Sequence, residues 1–367
     1  MPLSLSEIED IRDECLADDL DIDFERMSLW SADEARVYFE SGGEVEPPSQ
    51  SSTPLPSPDN APKLPAPSEE QLKSWFPKRQ KRDGAPKFRL VCFHNAGSAE
   101  SIYTGRGMRQ SQDNPFVKHC AAAGGELLCP ELPGREQRRK EPRSTTLRPY
   151  AEELFPVLAP LLQDGVPCAA QFGATLRATR RNSAQLRAQF SSTPSRRYIM
   201  VGHSMGTWML FETLRLLMER GIPLPAQIVV SSFPAADIAP ADRPWRKSRG
   251  MGDDAFKDEC RTWDINEVIF QPSMWAVYKG LLQDDFNLFD EYEYAPLPAP
   301  ISVPVRAYYA AKDKNVKRHH VDGWKRLLAA GTPFSVDEVG GNHLFFYDVP
   351  VRAAWMEAVV RGLPFGA

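Results

Sequence analysis

Short runs of apolar residues alternate with longer segments of helical periodicity along most of the chain. Six runs have the length and the bounding glycines or prolines typical of buried strands: Phe88–Phe93, Gly125–Pro130, Tyr198–Val201, Ile228–Ser231, Val305–Ala310 and Phe334–Val339. The helical period predicts helices at Leu147–Leu162, Gly206–Arg220, Val321–Ala330 and Val351–Arg361. Strands that alternate with helices predict an α/β fold, in which a mostly parallel sheet carries helices on both faces.

Two long segments interrupt this alternation. Residues 164–197 lie between a helix and a strand and are rich in arginine, so we expect either an added helix or a basic surface loop there. Residues 233–294 have helical patterns and three tryptophans but no strand pattern. A helical insertion of this kind predicts a lid over a binding site.

The first 71 residues differ in composition from the rest. Residues 1–48 hold fifteen acidic and three basic side chains, so the remainder carries +7 within a total net charge of −5. Capping-box spacings predict two short helices, and residues 1–46 form a predicted acidic helical arm. Residues 47–71 contain eight prolines, which predict an extended linker and leave 72–367 as the main domain.

Composition narrows the classes of protein further. No apolar run reaches the roughly 18 residues of a membrane span, and the first 30 residues lack the basic start and apolar core of a signal peptide. The six cysteines have neither metal-ligand nor disulfide-framework spacing, which predicts free thiols in a cytoplasmic protein. We expect no nucleic-acid partner, and without a visible dimer seam we expect a monomer.

A serine motif follows the third predicted strand. Gly202-His203-Ser204-Met205-Gly206 has the pattern G-x-S-x-G and lies directly before a predicted helix. This context is what a nucleophile elbow requires, because a serine on a strained strand-to-helix turn needs neighbours without a Cβ. Ser204 is therefore the candidate nucleophile. His203 is expected to pack beside the elbow.

A nucleophilic serine needs a general base, and in this arrangement the base is the last of the three groups along the chain. Of the histidines after Ser204, His343 lies in a glycine loop that follows the final predicted strand. His319 and His320 begin a predicted helix behind two basic residues and are typical of a solvated surface. We therefore expect His343 to be the base.

The base needs an acid to orient it, and Asp313 follows the preceding predicted strand. Asp322 lies on a helix face and Asp337 within a strand, so both are weaker candidates. A turn-capping role remains open for Asp313.

Two backbone N–H groups should stabilise the oxyanion that forms during acyl transfer. One is expected at Met205, the residue after the nucleophile. The other is expected at Ala96, in the loop Phe93–Ser98 after the first core strand. His94, in the same loop, precedes the serine in chain order and is expected to have no catalytic role.

Taken together, these residues resemble a type II thioesterase, the stand-alone α/β-hydrolase that accompanies polyketide and nonribosomal peptide synthases. The segments that carry the resemblance are the Phe93–Ser98 loop, Leu132-Pro133-Gly134-Arg135-Glu136, Glu141-Pro142, G-H-S-M-G at Gly202–Gly206, Asp284–Tyr294, Asp313, Trp324 and Gly341-Asn342-His343. The resemblance covers about residues 75–364. L-P-G-R-E together with G-H-S-M-G is far more specific than G-x-S-x-G alone.

The resemblance implies an α/β-hydrolase fold with a helical lid, and hydrolysis of acyl groups from the phosphopantetheine arm of an acyl or peptidyl carrier protein, for editing or product release. It implies no metal and no other cofactor. Carrier proteins are generally acidic, so the positive main domain would suit such a partner. Trp208, where small residues are usual, could line or narrow an acyl pocket, or merely pack the elbow helix.

Other functions fit the same residues. A small-molecule carboxylesterase or lipase would use the same triad, and a related enzyme would transfer the acyl group to an acceptor other than water. A hydrolase-like body used only for binding is a third alternative, which the intact Ser-Asp-His set disfavours. Acyl chain length and pathway cannot be read from these residues.

Overall fold

Six buried strands form one sheet in the computed structural model, which describes residues 5–15, 27, 32–43, 63–79, 84–105, 114–163 and 197–365. The strands are β1 (Arg89–Phe93), β2 (Glu126–Leu128), β3 (Tyr198–His203), β4 (Gln227–Ser231), β5 (Val305–Ala310) and β6 (Phe334–Val339). Their order is β2-β1-β3-β4-β5-β6, and every neighbouring pair is parallel. The predicted α/β class is confirmed.

Alternate side chains of the strands enter two separate cores. Val91 and Phe93 of β1 face the core on one side of the sheet, whereas Leu90 and Cys92 face the core on the other. Because each strand is buried on both faces, it reads as a continuous apolar run rather than as an alternating one. The edge strand β6 is the exception, because Ser335, Asp337 and Glu338 are exposed.

Helices cover both faces of this sheet. The α-helices of the larger part are Glu69–Trp75, Ser101–Thr104, Pro115–Ala123, Leu147–Gln163, Met205–Glu219, Asp253–Thr262, Pro272–Asp290, Arg318–Asp322 and Val349–Arg361. The first of these begins within the segment 47–71 that was predicted as linker. Pro115–Ala123 lacks a sequence prediction, although Asn114 caps it through its side chain and proline occupies its first turn.

One helix is shorter than predicted. The sequence predicts Val321–Ala330, but the α-helix ends at Asp322 and a 3₁₀ turn continues from Gly323 to Leu327. The tighter turn accommodates the fully buried Trp324, whose indole N–H donates to the Phe233 carbonyl at 3.2 Å.

The segment 233–294 contains the helices Asp253–Thr262 and Pro272–Asp290 and two 3₁₀ turns, and no strand. We call this segment the lid and Pro272–Asp290 the lid helix. The lid packs aromatic side chains against the main body, with Trp245 tilted against Trp208 of the helix Met205–Glu219 at 5.9 Å between ring centroids. The lid therefore shares a core with the sheet.

The chain divides into two compact units, Met1–Leu55 and Pro56–Ala367. In the first unit, helices Leu5–Glu14 and Ala32–Glu40 share a small apolar cluster of Ile8, Ile11, Met27, Ala35 and Phe39. Residues 47–62 of the predicted linker, the arginine-rich residues 164–196 and Cys168 lie outside the described residues.

Two predictions from composition can be compared with the described helices and cysteines. None of the helices in the described ranges is both long and apolar enough to cross a membrane. No disulfide joins the five cysteines that fall within those ranges.

Candidate active site

The structure brings Ser204, His343 and Asp313 into one hydrogen-bonded chain. The Ser204 hydroxyl lies 2.8 Å from His343 Nε2, and His343 Nδ1 lies 2.6 Å from Asp313 Oδ2. The three residues are 4%, 1% and 1% exposed, respectively. Ser204, His343 and Asp313 follow the carboxyl ends of β3, β6 and β5, respectively. Because these strands are parallel, all three residues lie at the same end of the sheet.

The turn that carries Ser204 is strained. Its backbone has φ 55° and ψ −134°, a conformation that non-glycine residues adopt only when their surroundings enforce it. A Cβ on Gly206 would lie 2.2 Å from the Phe93 carbonyl oxygen, and one on Gly202 would lie 2.7 Å from that of Gly206. Both glycines are needed because the helix start, the serine turn and the end of β1 approach each other closely.

The loop after β5 fixes the orientation of Asp313. Its Oδ1 accepts hydrogen bonds from the Asn315 and Val316 N–H groups at 3.0 and 2.9 Å, which leaves Oδ2 for His343. The capping role that the sequence left open and the contact with histidine thus use different oxygens of one carboxylate. The other candidate acids, Asp322 and Asp337, form ion pairs with Arg318 and Arg306 instead.

The remaining histidines lie in other environments. His319 is exposed, and His320 Nδ1 accepts from the Lys317 N–H at 2.9 Å, with burial lowering the pKa of His320 to about 4. His94 is fully buried, and its burial, with the nearby Arg135 charge, lowers its pKa to about 3. The His320 and His94 rings are therefore neutral at pH 7.

The two predicted oxyanion donors lie on the loops that flank the nucleophile. Met205 is the first residue of the helix Met205–Glu219, and Ala96 is in the loop 94–98 after β1. Neither backbone N–H has a hydrogen-bond acceptor within the described ranges. Orphan N–H groups at a helix start beside a serine can hold a developing negative charge.

His343 is held from two sides by contacts that the sequence analysis does not predict, although it does expect His203 to pack beside the elbow. From the body, His203 Nε2 lies 3.1 Å from the His343 carbonyl oxygen. Burial, and to a smaller extent the nearby His343, lowers the pKa of His203 well below 6.5. The neutral His203 ring therefore donates its Nε2–H to that carbonyl oxygen. From the lid, Trp263 packs edge-on against the His343 ring at 4.6 Å, and Asp264 accepts from the His343 N–H at 3.4 Å. In the sequence, the only sign that His203 could contact His343 is its position inside the serine motif.

The sequence analysis also does not predict an ion pair beside the loop 94–98. Arg135 and Asp285 form an ion pair of 2.5 Å with almost no exposed surface, next to the loop 94–98. Arg135 belongs to the L-P-G-R-E segment and Asp285 to the segment 284–294, both of which carry the family resemblance. That resemblance was the signal, but it did not indicate that the two residues meet.

A cavity of about 1140 Å³ lies between the lid and the loops after β1 and β6. Its wall includes Ala96 and Asn342, which flank the catalytic groups, and apolar lid residues such as Ile265 and Leu282. Arg139 and Lys312 also line it, and neither has a carboxylate partner within the described ranges. The cavity therefore combines an apolar wall with charged groups of both signs, since Glu136, Asp264 and Asp348 line it as well as the two cations.

The prediction that Trp208 lines an acyl pocket is wrong for this cavity. Trp208 is absent from its wall, is fully buried, and donates its indole N–H to the Pro234 carbonyl at 2.9 Å. Its ring packs on Phe233 and Tyr292 in the core behind the elbow. The helix Met205–Glu219 is buried nearly all round, so its pattern gives no sign of which side faces the cavity.

One group of carboxylates among the described residues has the spacing of a metal site. Oxygens of Glu100, Glu131 and Glu136 lie within 4.8 Å of one another. The Lys78 ammonium already lies 3.7 and 3.5 Å from Glu100 and Glu136. Burial, with the neighbouring carboxylates, raises the pKa of Glu100 to about 8 and of Glu131 to about 7. The Lys78 ammonium and the raised pKa values both reduce the negative charge of this group.

Comparison with known proteins places this geometry among hydrolases. The model of the Alpha/beta hydrolase family matches residues 90–354. The chain is 25% identical over 263 residues to the thioesterase PikA5 of Streptomyces venezuelae, covering 71% of this chain and 76% of PikA5. It is 23% identical over 288 residues to the antimetabolite synthetase AmbE of Pseudomonas aeruginosa, covering 77% of this chain but spanning only 11% of AmbE's length.

Solved structures agree on the fold. The RedJ thioesterase from the prodiginine biosynthetic pathway in Streptomyces coelicolor superposes with a TM-score of 0.54 at 22% identity, covering 82% of this chain and 98% of that one.

Proposed function

Because this chain belongs to the alpha/beta hydrolase family, we propose that it is a serine thioesterase that hydrolyses acyl groups from the phosphopantetheine arm of carrier proteins, for editing or product release. The observation that carries the proposal is the continuous hydrogen-bonded chain from Ser204 through His343 to Asp313. Similarity to thioesterases supports the choice of thioesters over other acyl compounds.

The acylation step uses each group of this chain. His343 Nε2 takes the proton of Ser204 as the hydroxyl oxygen attacks the thioester carbonyl carbon, and Asp313 holds the imidazolium. The Met205 and Ala96 N–H groups donate to the resulting oxyanion. When the tetrahedral intermediate collapses, the C–S bond breaks and His343 returns the proton to the departing thiolate. The products are an acyl-Ser204 ester and the free thiol.

Water then resolves the ester. His343 removes a proton from water, the hydroxide oxygen attacks the acyl carbon, and the Ser204 alkoxide leaves and recovers its proton. The proposed cycle consumes one water and releases one carboxylic acid, and it involves no metal or redox cofactor.

The lining of the cavity favours a long, partly apolar substrate that is attached to an anionic arm. Its apolar lid residues suit an acyl chain, while Arg139 and Lys312 suit the phosphate of the arm and the acidic surface of a carrier. The main part of the chain, residues 49–367, carries +7, which favours encounter with an acidic partner.

The test is release of a radiolabelled acyl group from an acyl-phosphopantetheinyl carrier protein, followed by mass spectrometry of the carrier, with Ser204→Ala as the matched control. We expect wild-type protein to yield free acid and unloaded carrier, and the variant to yield neither. The same acyl group should be released more slowly from a simple ester.

A different pattern would contradict the proposal. If the carrier stays loaded while simple esters are cleaved, the chain is a small-molecule carboxylesterase that uses the same triad. If the label appears on an added alcohol or amine in preference to water, the chain is an acyltransferase.

A further inference from the structure

A buried ion pair joins the lid helix to the L-P-G-R-E segment, next to the loop that carries Ala96. Arg135 Nη2 lies 2.5 Å from Asp285 Oδ1, and Arg135 Nη1 lies 3.1 Å from Asp285 Oδ2. The side chains of Arg135 and Asp285 are 5% and 2% exposed. Buried charges of this kind are rare unless they are paired and hydrogen-bonded, so the local structure depends on both.

Both partners also hold the backbone of the loop 94–98. The Gly97 N–H donates to Asp285 Oδ2 at 2.7 Å, and Arg135 Nη1 donates to the Ser98 carbonyl oxygen at 2.6 Å. Gly97 has φ 70°, in the left-handed region. Its open side faces Leu282 of the same lid helix, since a Cβ at residue 97 would lie 2.8 Å from a Leu282 methyl group.

These contacts fix the peptide that follows Ala96. Asp285 accepts from the N–H of the Ala96–Gly97 peptide and Arg135 donates to the Ser98 carbonyl oxygen, so the backbone directly after Ala96 is anchored and the positions open to the Ala96 N–H are restricted. A 1 Å displacement of such a donor is enough to reduce catalysis strongly.

The ion pair also has an electrostatic consequence. An unpaired Asp285 carboxylate beside the oxyanion donors would oppose the negative charge that develops on the substrate. Arg135 cancels that charge while leaving the carboxylate able to accept from Gly97. The arginine is therefore required for the aspartate to occupy this position without a cost to the transition state.

We propose that Arg135 and Asp285 are positioning residues for catalysis, through which the docked lid helix sets the Ala96 oxyanion donor. The inference rests on the proposed function, in that it assumes an acyl-transfer reaction at Ser204. It adds that the lid does more than cover the cavity, because one of its own carboxylates is a structural part of the oxyanion loop.

The test compares variants of the full chain with a p-nitrophenyl ester, a fluorophosphonate probe and a trifluoromethyl ketone that forms a tetrahedral adduct with the serine. Asp285→Asn keeps an oxygen that can accept from Gly97 but removes the charge. Arg135→Met with Asp285→Leu replaces the whole pair by apolar side chains, an exchange that buried pairs often tolerate in folding. Asp284→Asn is the matched control, since Asp284 is the neighbouring lid residue and pairs with Arg143.

We expect the double variant to remain folded by circular dichroism, to lose about 10²-fold in kcat with little change in KM, and to bind the ketone about 10²-fold more weakly. Asp285→Asn should lose less, and Asp284→Asn should match wild type. A pair with a purely structural role would lower the melting temperature but leave kcat and ketone affinity of the folded protein unchanged, and that result would overturn the proposal.

The outcomes also separate this inference from the proposed function. If folded wild-type protein neither reacts with the fluorophosphonate nor hydrolyses any ester or thioester, the proposed function fails. If wild type is active and the double variant is equally active, only the positioning role fails.

Discussion

Replacing Gly206 by alanine tests the close approach on which the serine turn depends. The new Cβ would lie 2.2 Å from the Phe93 carbonyl oxygen and 2.8 Å from the His94 carbonyl oxygen. Carbon and oxygen atoms that are not bonded ordinarily approach no closer than about 3.3 Å. The helix Met205–Glu219 and the end of β1 must therefore separate by about 1 Å. Both obstructing atoms belong to the backbone, so no side-chain rotation relieves the clash.

The displacement has two expected effects. Overpacking of a core contact costs about 1–3 kcal/mol of unfolding free energy. The same shift separates the Met205 and Ala96 N–H groups, and a displacement of about 1 Å in the reacting geometry lowers the rate about 10²-fold. Gly206→Ala should therefore be both less stable and much less active.

Urea unfolding and turnover of a p-nitrophenyl ester measure the two effects. The matched control is Gly340→Ala, because a Cβ there would find its nearest neighbour, Val351, at 4.0 Å, and the residue is exposed. The control should keep wild-type activity and change stability by no more than about 1 kcal/mol. If Gly206→Ala behaves like Gly340→Ala, the contact between helix and strand does not set the geometry of the turn.

Three further variants test other parts of the site and core. Asp313→Asn should lower kcat about 10³–10⁴-fold with the fold intact by circular dichroism, because the amide favours the wrong tautomer of His343; a loss below tenfold would exclude the orienting role. Glu131→Gln addresses pH: burial raises the pKa of Glu131 from 4.5 to about 7, so its protonated form stabilises the fold fully below pH 4.5, and this contribution is lost as the pH rises through 7. The unfolding free energies of wild type and Glu131→Gln are measured in urea at pH 5 and pH 8. Relative to wild type, the variant should be more stable at pH 8 than at pH 5 by up to about 3 kcal/mol. A difference between the two proteins that is the same at both pH values would contradict the raised pKa. Trp208→Phe should cost about 1–3 kcal/mol by leaving the Pro234 carbonyl unpaired, yet leave the preference among acyl chain lengths unchanged in competition assays; a changed preference would restore Trp208 to the acyl pocket.

The sheet was predictable because its strands are buried on both faces. Tyr198–Val201 and Ile228–Val230 are apolar runs next to glycine, proline or serine, and their alternation with helical patterns predicts a parallel sheet. The grouping of Ser204, Asp313 and His343 then follows from topology, because the carboxyl ends of parallel strands meet at one edge.

Lid contacts were harder to predict, for a physical reason. A helical period shows which residues of a helix share a face, but it does not show which part of the sheet that face meets. Asp264 reaches the His343 N–H from a backbone with φ 61°, a local conformation with no signature in the surrounding sequence. The prediction that Trp208 lines an acyl pocket was wrong for a related reason. Its helix is buried on all sides and so has no polar face that shows which side meets the cavity.

The order of the strands has a consequence for the history of each molecule. Ser204 and the histidine that activates it are 139 positions apart, and the histidine follows β6, the last strand and one edge of the sheet. A growing chain on the ribosome therefore exposes Ser204 long before His343 is made, and we expect the serine to stay unreactive until β6 has joined the sheet.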